Sequence, residues 1–224
     1  MSETVVLLHG FAGTARHWDR VAALLDRERY SPLALDLRAP APEEIAAQLP
    51  ERFILCGYSM GGRVALHVAA SVPRRVSALV LLSTTAGVED PAARLRADEQ
   101  LASEISDVER FIARWRATPL FACDPDWVHD EIADDTRRLT AAQIATMLRA
   151  YSPGRLPPLW DRLHELTMPA VVLAGERDTR YREIAVRLAG ALPNARCEIV
   201  PGAGHRLALE APQAVADAII AARS

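Results

Sequence analysis

The sequence predicts an α/β fold: a mostly parallel sheet of about six strands, helices on both faces, and a helical insertion over one end. Three observations predict it. Short apolar runs alternate with amphipathic stretches along most of the chain, the pattern of strands joined by crossover helices. One such run, Phe53-Ile-Leu-Cys56, passes through Gly57-Tyr58-Ser59-Met60-Gly61 straight into a helical pattern. From about Pro91 to Leu163 strand-like runs vanish, charges rise, and Pro119, Pro125, Pro153, Pro157 and Pro158 separate short amphipathic segments. The expected division is therefore a core of residues 1–90 and 164–224 and a helical cap insertion of residues 91–163.

The elements follow in order. Thr4 to Leu8 reads as the first strand and ends in His9-Gly10-Phe11-Ala12-Gly13. Thr14 can cap a helix to about Arg29, with Trp18, Val21, Leu24 and Leu25 on its apolar face. Tyr30 to Leu37 is a second strand, and Arg38-Ala39-Pro40-Ala41-Pro42 a proline-marked turn before a short helix from Glu43 to Leu49. After the Phe53 strand, a helix runs from Arg63 onward with Val64, Leu66 and Val68 among its apolar positions. Arg75 to Leu82 gives another strand. Beyond the insertion come a strand at Pro169–Leu173, a helix at Tyr181–Ala191, a strand at Arg196–Val200 and a closing helix from Pro212 to Ala222.

Gly57-x-Ser59-x-Gly61 between strand and helix is the pattern of a nucleophile elbow. There the serine is strained and thrust out above the sheet, and the glycines leave room where strand and helix backbones meet. The helix N-terminus beneath favours negative charge on a bound substrate. The His9-Gly10-Phe11 turn can aim a backbone N–H at the same point. An oxyanion hole is thus expected from the amides of Phe11 and Met60.

A serine needs a base, and the base needs an acid that fixes its tautomer. In this kind of fold the three arrive in the order Ser, acid, His, each on a loop after a strand. Asp178, in Gly175-Glu176-Arg177-Asp178, and His205, after Gly202-Ala203-Gly204, satisfy order and placement together. The two glycines let the histidine loop bend back. His9 belongs to the first turn, His17 and His67 fall within helices, and His129 and His164 lie in the insertion. Glu176 is a weaker alternative acid, and Asp36 a structural one.

Composition removes several classes. All 26 basic residues are arginine, so Schiff-base and lysine-base mechanisms are excluded. A net charge of −3 and a pI near 6.1 give no general reason to expect a nucleic-acid partner. No apolar run reaches the length of a membrane span, and Val5–Leu8 is too short for a secretory core. Cys56, Cys123 and Cys197 read as small core residues of a reduced, cytoplasmic protein. No histidine or cysteine cluster has metal spacing and no glycine-rich loop fits a phosphate, so no cofactor and no metal are expected.

His9-Gly-Phe, Gly57-Tyr-Ser-Met-Gly-Gly-Arg63, Gly175-Glu-Arg-Asp178 and Gly204-His205 together resemble the α/β-hydrolase superfamily over nearly the whole chain. Within it the chain is most similar to the 2-succinyl-6-hydroxy-2,4-cyclohexadiene-1-carboxylate synthases of menaquinone biosynthesis. Arg94-Leu-Arg96-Ala-Asp98, Trp115-Arg-Ala-Thr-Pro119-Leu-Phe121 and the Tyr181 that follows Asp178 look like further segments of that family. The resemblance implies a lyase that eliminates pyruvate from a cyclohexene carrying several carboxylates, its triad serving as a base. It implies substrate contacts from Tyr58, Arg63, Arg94 and Trp115, with a third arginine fork from Arg137 or Arg138. Arginine suits that work because it binds carboxylates bidentately and stays charged. The sequence departs from the family at Asp36-Leu-Arg38-Ala-Pro40-Ala, at the short segment from there to the elbow, and at Arg206-Leu207. The triad and oxyanion hole alone would equally serve a serine carboxylesterase or thioesterase acting on a small acyl substrate. A silent binding protein on the same scaffold fits the intact triad poorly.

Overall fold

A computed structural model describes residues 2–38 and 40–222. Ala39, inside the expected proline-marked turn, lies outside the described residues. The core elements are β1 (Glu3–Leu8), α1 (Asp19–Leu24), β2 (Tyr30–Leu35), α2 (Pro42–Gln48), β3 (Phe53–Tyr58), α3 (Met60–Ser71) and β4 (Val76–Leu82). Four helices follow before the next strand: α4 (Pro91–Glu104), α5 (Val108–Arg116), α6 (Asp126–Thr136) and α7 (Ala141–Tyr151). The chain ends with β5 (Ala170–Gly175), α8 (Thr179–Ala191), β6 (Ala195–Val200), α9 (Leu207–Glu210) and α10 (Pro212–Ala221). Single 3-10 segments stand at Ala15–Trp18, Pro119–Phe121 and Trp160–Glu165.

The described strands form one six-stranded sheet in the order β2-β1-β3-β4-β5-β6, and every pairing is parallel. Alternation along the strands divides their side chains between two layers. Val6, Leu8, Leu55, Leu79 and Leu81 pack with Ile45 of α2, Val64 and Val68 of α3 and Leu188 of α8. Val5, Leu7, Ile54, Cys56 and Val80 face Trp18, Val21 of α1 and Val215 and Ile219 of α10. Strands buried on both faces read as unbroken apolar runs, which is why the sequence showed runs instead of alternation.

Sheet order then positions the site. From β1 the chain steps outward to β2 and returns to β3 on the other side of β1. At such a switch point the loops leaving two adjacent strands part, opening a crevice at their carboxyl ends. The loops concerned are 9–14 after β1 and Tyr58–Ser59 after β3.

The structure corrects three local expectations. The first helix stops at Leu24, short of Arg29, because Asp26 takes over the backbone: its side chain accepts from Glu28 N–H at 2.9 Å, and its carbonyl accepts from Tyr30 N–H at 2.8 Å. Leu24 is accordingly 42 % exposed instead of packed. Helix α3 begins at Met60, a turn before Arg63. Of the cysteines only Cys56 is a core residue; Cys197 is partly buried and Cys123 exposed.

Candidate active site

Ser59 sits between β3 and α3 with φ 51° and ψ −110°, a conformation that side chains rarely adopt. Neighbours over-determine it. Its N–H donates to the Leu82 carbonyl at 2.9 Å, and the Thr84 hydroxyl donates to its own carbonyl at 2.7 Å. The flanking glycines are demanded by close approach. A Cβ on Gly57 would lie 2.5 Å from the Gly61 carbonyl oxygen, and one on Gly61 2.5 Å from that of His9.

His205 reaches the serine from the loop between β6 and α9. Its Nε2 lies 3.1 Å from Ser59 Oγ, and its Nδ1 lies 2.6 Å from Asp178 Oδ2. Asp178 also caps α8, its Oδ1 accepting from Tyr181 N–H at 3.3 Å. Asp178 and His205 are both buried. Gly202 takes the positive φ, 66°, that turns the loop; Gly204 does not, and it contributes instead an N–H donated to Glu210 at 2.9 Å. Burial holds the His205 imidazole below its ordinary range, and the Asp178 carboxylate only partly opposes it. A neutral His205 with Asp178 on Nδ1 presents a free Nε2 lone pair to the serine hydroxyl.

On the opposite side, His9 shapes the loop after β1. Its Nε2 accepts from Leu37 N–H at 2.9 Å, so Nδ1 carries the proton and donates to the Gly10 carbonyl at 2.7 Å. Burial keeps this imidazole neutral too. The loop is held from the other end by Asp135 near the C-terminus of α6. That carboxylate accepts from Thr14 N–H at 2.8 Å and from the Thr14 hydroxyl at 2.5 Å, while Thr136 Oγ1 donates to the Ala12 carbonyl at 2.9 Å. The amides of Phe11 and Met60 donate to no protein acceptor among the described hydrogen bonds. Both residues line the same cavity as Ser59 and His205.

This cavity is about 1060 Å³ and open to solvent. Its apolar wall is a ring cluster: Phe11 meets Trp115 at 5.1 Å and Phe111 at 5.8 Å, and Trp115 meets Phe121 at 5.6 Å. Of the expected substrate contacts, Tyr58, Arg63, Arg94 and Trp115 line it. Arg63 is buried; among the described residues its Nε–H has no partner and its side chain makes one hydrogen bond, a long one of 3.4 Å to the Tyr151 carbonyl. Desolvation brings its pKa down to about 10, so it remains charged. Arg94 is held by both oxygens of Asp98 at 2.8 Å. Asp98 also accepts from the Ser152 hydroxyl at 2.7 Å.

Arg137 and Arg138 do not come to the cavity. Both are exposed at the end of α6, and Arg137 is engaged by Glu109 and Asp134 at 2.8 and 2.7 Å. The geometric reason is that α6 turns Asp135 and Thr136 inward to clamp the loop after β1, which turns the next residues outward. Asp36 serves structure as expected, accepting from Ala15 N–H at 2.8 Å. Residues to which the sequence assigned no role also surround the site. Besides Asp135, they include Arg206, ion-paired with Asp124 at 2.6 Å beside His205, and Glu210, which accepts from Gly204 N–H and Arg177. Among the described residues no group of three or more His, Cys, Asp or Glu could hold a metal, and no helix is long and apolar enough to cross a membrane.

Comparison with known proteins bears on this geometry. Residues 5–218 match the model of the Alpha/beta hydrolase family. A Bacillus subtilis (strain 168) protein provisionally named a 2-succinyl-6-hydroxy-2,4-cyclohexadiene-1-carboxylate synthase is 34% identical, over 95% of this chain and 87% of its own. A synthase of the same name from Serratia proteamaculans (strain 568) is 33% identical, over 95% and 89%. Among solved structures, MenH from S. aureus superposes with a TM-score of 0.89 at 28% identity, covering 98% of this chain and 92% of that one.

Proposed function

Since the chain belongs to the alpha/beta hydrolase family, and within it to the 2-succinyl-6-hydroxy-2,4-cyclohexadiene-1-carboxylate synthases, we propose that it eliminates pyruvate from a cyclohexene substrate bearing several carboxylates, as a step of menaquinone biosynthesis. The observation that carries the reading is Arg63. A buried guanidinium is costly unless an anion meets it, and this one lines the cavity with no carboxylate in ion-pair contact among the described residues. It stands one helical turn beyond Ser59, within reach of a ligand seated on the serine. A neutral acyl ester gives such a cation nothing to do.

In this reading His205, oriented by Asp178, accepts the Ser59 proton at Nε2. Ser59 Oγ then takes the proton from a ring carbon of the substrate. The released electron pair forms a ring double bond and expels the enolpyruvyl oxygen, and the enolate carbon then takes the proton held on His205, which restores the neutral base as pyruvate leaves. Charge that develops on a conjugated carbonyl oxygen during proton removal is met by the Phe11 and Met60 amides, fixed in place before the reaction begins. The helical segment 91–163 acts as a cap that supplies the ring wall around Trp115 and closes the cavity over the reacting bond. Arg63 holds a substrate carboxylate, Arg94 stays with Asp98 at the cavity wall, and Tyr58 lines the floor.

The test is pyruvate release from the succinyl-enolpyruvyl-cyclohexene substrate, run beside hydrolysis of p-nitrophenyl acetate. Ser59→Ala should lower kcat for pyruvate release by about 10³-fold or more. Arg63→Ala should lose far more on that substrate than on the ester. Ester hydrolysis with no pyruvate release from the unaltered protein would replace this reading with a serine esterase.

A further inference from the structure

Six arginines and four carboxylates line the cavity, and pairing them off leaves a remainder. Arg94 is taken by Asp98, Arg206 by Asp124, and Arg177 by Glu210 outside the lining. Asp178 is taken by His205, and Glu89 is exposed and makes no ion pair among the described residues. Among the described residues, three lining arginines make no ion pair with a carboxylate: Arg63, already discussed, and Arg180 and Arg187 on α8.

We propose that the cavity-facing side of α8 is a second anion subsite, in which Arg180 and Arg187 bind a substrate carboxylate that Arg63 does not reach. The inference rests on the proposed lyase reading for the identity of that substrate. Its own warrant is helical geometry. Arg180, Ile184 and Arg187 stand at i, i+4 and i+7, one stripe of the helix, and all three line the cavity. The adjoining face, Ala185 and Leu188, is packed into the core, which fixes the rotation of the helix and so the direction of the stripe. Arg182, off the stripe, is occupied instead by the Glu176 carbonyl at 3.3 Å.

The Arg187 guanidinium lies 4.0 Å above the Trp160 ring, whose indole N–H is itself fixed by the Gly87 carbonyl at 3.2 Å. Stacking of this kind holds the planar fork in one orientation and leaves its edge N–H groups open, the arrangement a bidentate carboxylate requires. The third fork expected of Arg137 or Arg138 is thereby supplied from the core side of the cavity and not from α6.

Titration calorimetry with propane-1,2,3-tricarboxylate reads this subsite without turnover, and pyruvate-release kinetics read it with the substrate. Arg180→Ala and Arg187→Ala should each weaken tricarboxylate binding about tenfold, with a matching rise in KM and a smaller change in kcat. The double variant should also bind with a shallower dependence on salt. Arg182→Ala on the same helix should bind as the unaltered protein does, and thermal melting confirms that all variants fold. Undiminished binding in the folded double variant overturns the proposal, as does absence of tricarboxylate binding by the unaltered protein. Binding that falls as expected in a protein that releases no pyruvate upholds the subsite and removes the lyase reading alone.

Discussion

His17 lies flat on the Tyr58 ring, centroids 4.8 Å apart and 7° from parallel, at the floor of the site. It is buried, its Nε2 has no partner among the described residues, and burial pushes its pKa down to about 3. A histidine held neutral in the fold but free to charge in the unfolded chain contributes stability above pH 6.5 that is lost as the pH falls toward 3. At pH 5 the loss from this residue is about 2 kcal/mol. Asp124, pushed up to about 6 by desolvation against the pull of Arg206, works in the opposite sense. The His17 contribution is therefore read as a difference. His17→Phe should show a shallower fall in denaturation free energy between pH 7 and pH 5 than the unaltered protein, by about 2 kcal/mol, and parallel curves would refute it. At this scale the sequence was most informative where chemistry dictates residue type. Ser59, Asp178 and His205 stand out because an elbow, a chain order and a loop after each strand leave few candidates. Arg137 and Arg138 were misplaced for the complementary reason: on a charged helix, composition does not say which face turns inward.

Among the elements, the junction between α6 and the loop after β1 controls the site most directly. Asp135 takes both the amide and the hydroxyl of Thr14, and Thr136 takes the Ala12 carbonyl, at a loop where Ala12 itself has φ 59°. Such strain persists only when its surroundings impose it. Asp135→Ala should therefore cost about 2–3 kcal/mol in stability. It should lower kcat for pyruvate release more than it raises KM, because the Phe11 amide would lose its aim. Asp135→Asn, which keeps one acceptor, should fall between. Denaturant titration with steady-state kinetics separates the effects, and a stability loss with kcat intact would limit Asp135 to holding the fold. Nothing local in the sequence announces this contact, since Thr14 and Asp135 lie 121 residues apart. The α8 stripe was legible in principle, because Arg180, Ile184 and Arg187 carry helical spacing, but only the fold reveals that the stripe faces a cavity. The first helix was overextended because propensity continues through Asp26–Arg29, while the Asp26 side chain offers the backbone a better alternative.

For the molecule as a whole, strand number and parallel connectivity could be read from the apolar runs, because each parallel strand must bury both faces and each crossover needs a helix. What could not be read is how the helical segment between β4 and β5 is fastened over the sheet. Arg206 supplies one fastening. Its side chain and that of Asp124 are 3% and 1% exposed and meet at 2.6 Å, while the guanidinium lies 4.1 Å over Phe121. The contact joins the turn after Pro119–Phe121 to the loop that carries His205, so closure of the cavity wall and placement of the base are set by one interaction. That desolvation of Asp124 outweighs the attraction of Arg206 indicates a pair that fixes geometry more than it adds stability. Removing one partner is then the harsh change. Asp124→Ala should destabilise by about 3–5 kcal/mol, because it leaves a buried guanidinium alone, whereas Asp124→Leu combined with Arg206→Met should recover most of that loss. If the pair positions His205, the double variant should still show reduced kcat despite its restored stability. Full activity in a stable double variant would mean that the histidine loop is held by Glu210 and Gly202 alone, and that the ion pair serves only to fill the space beneath Phe121.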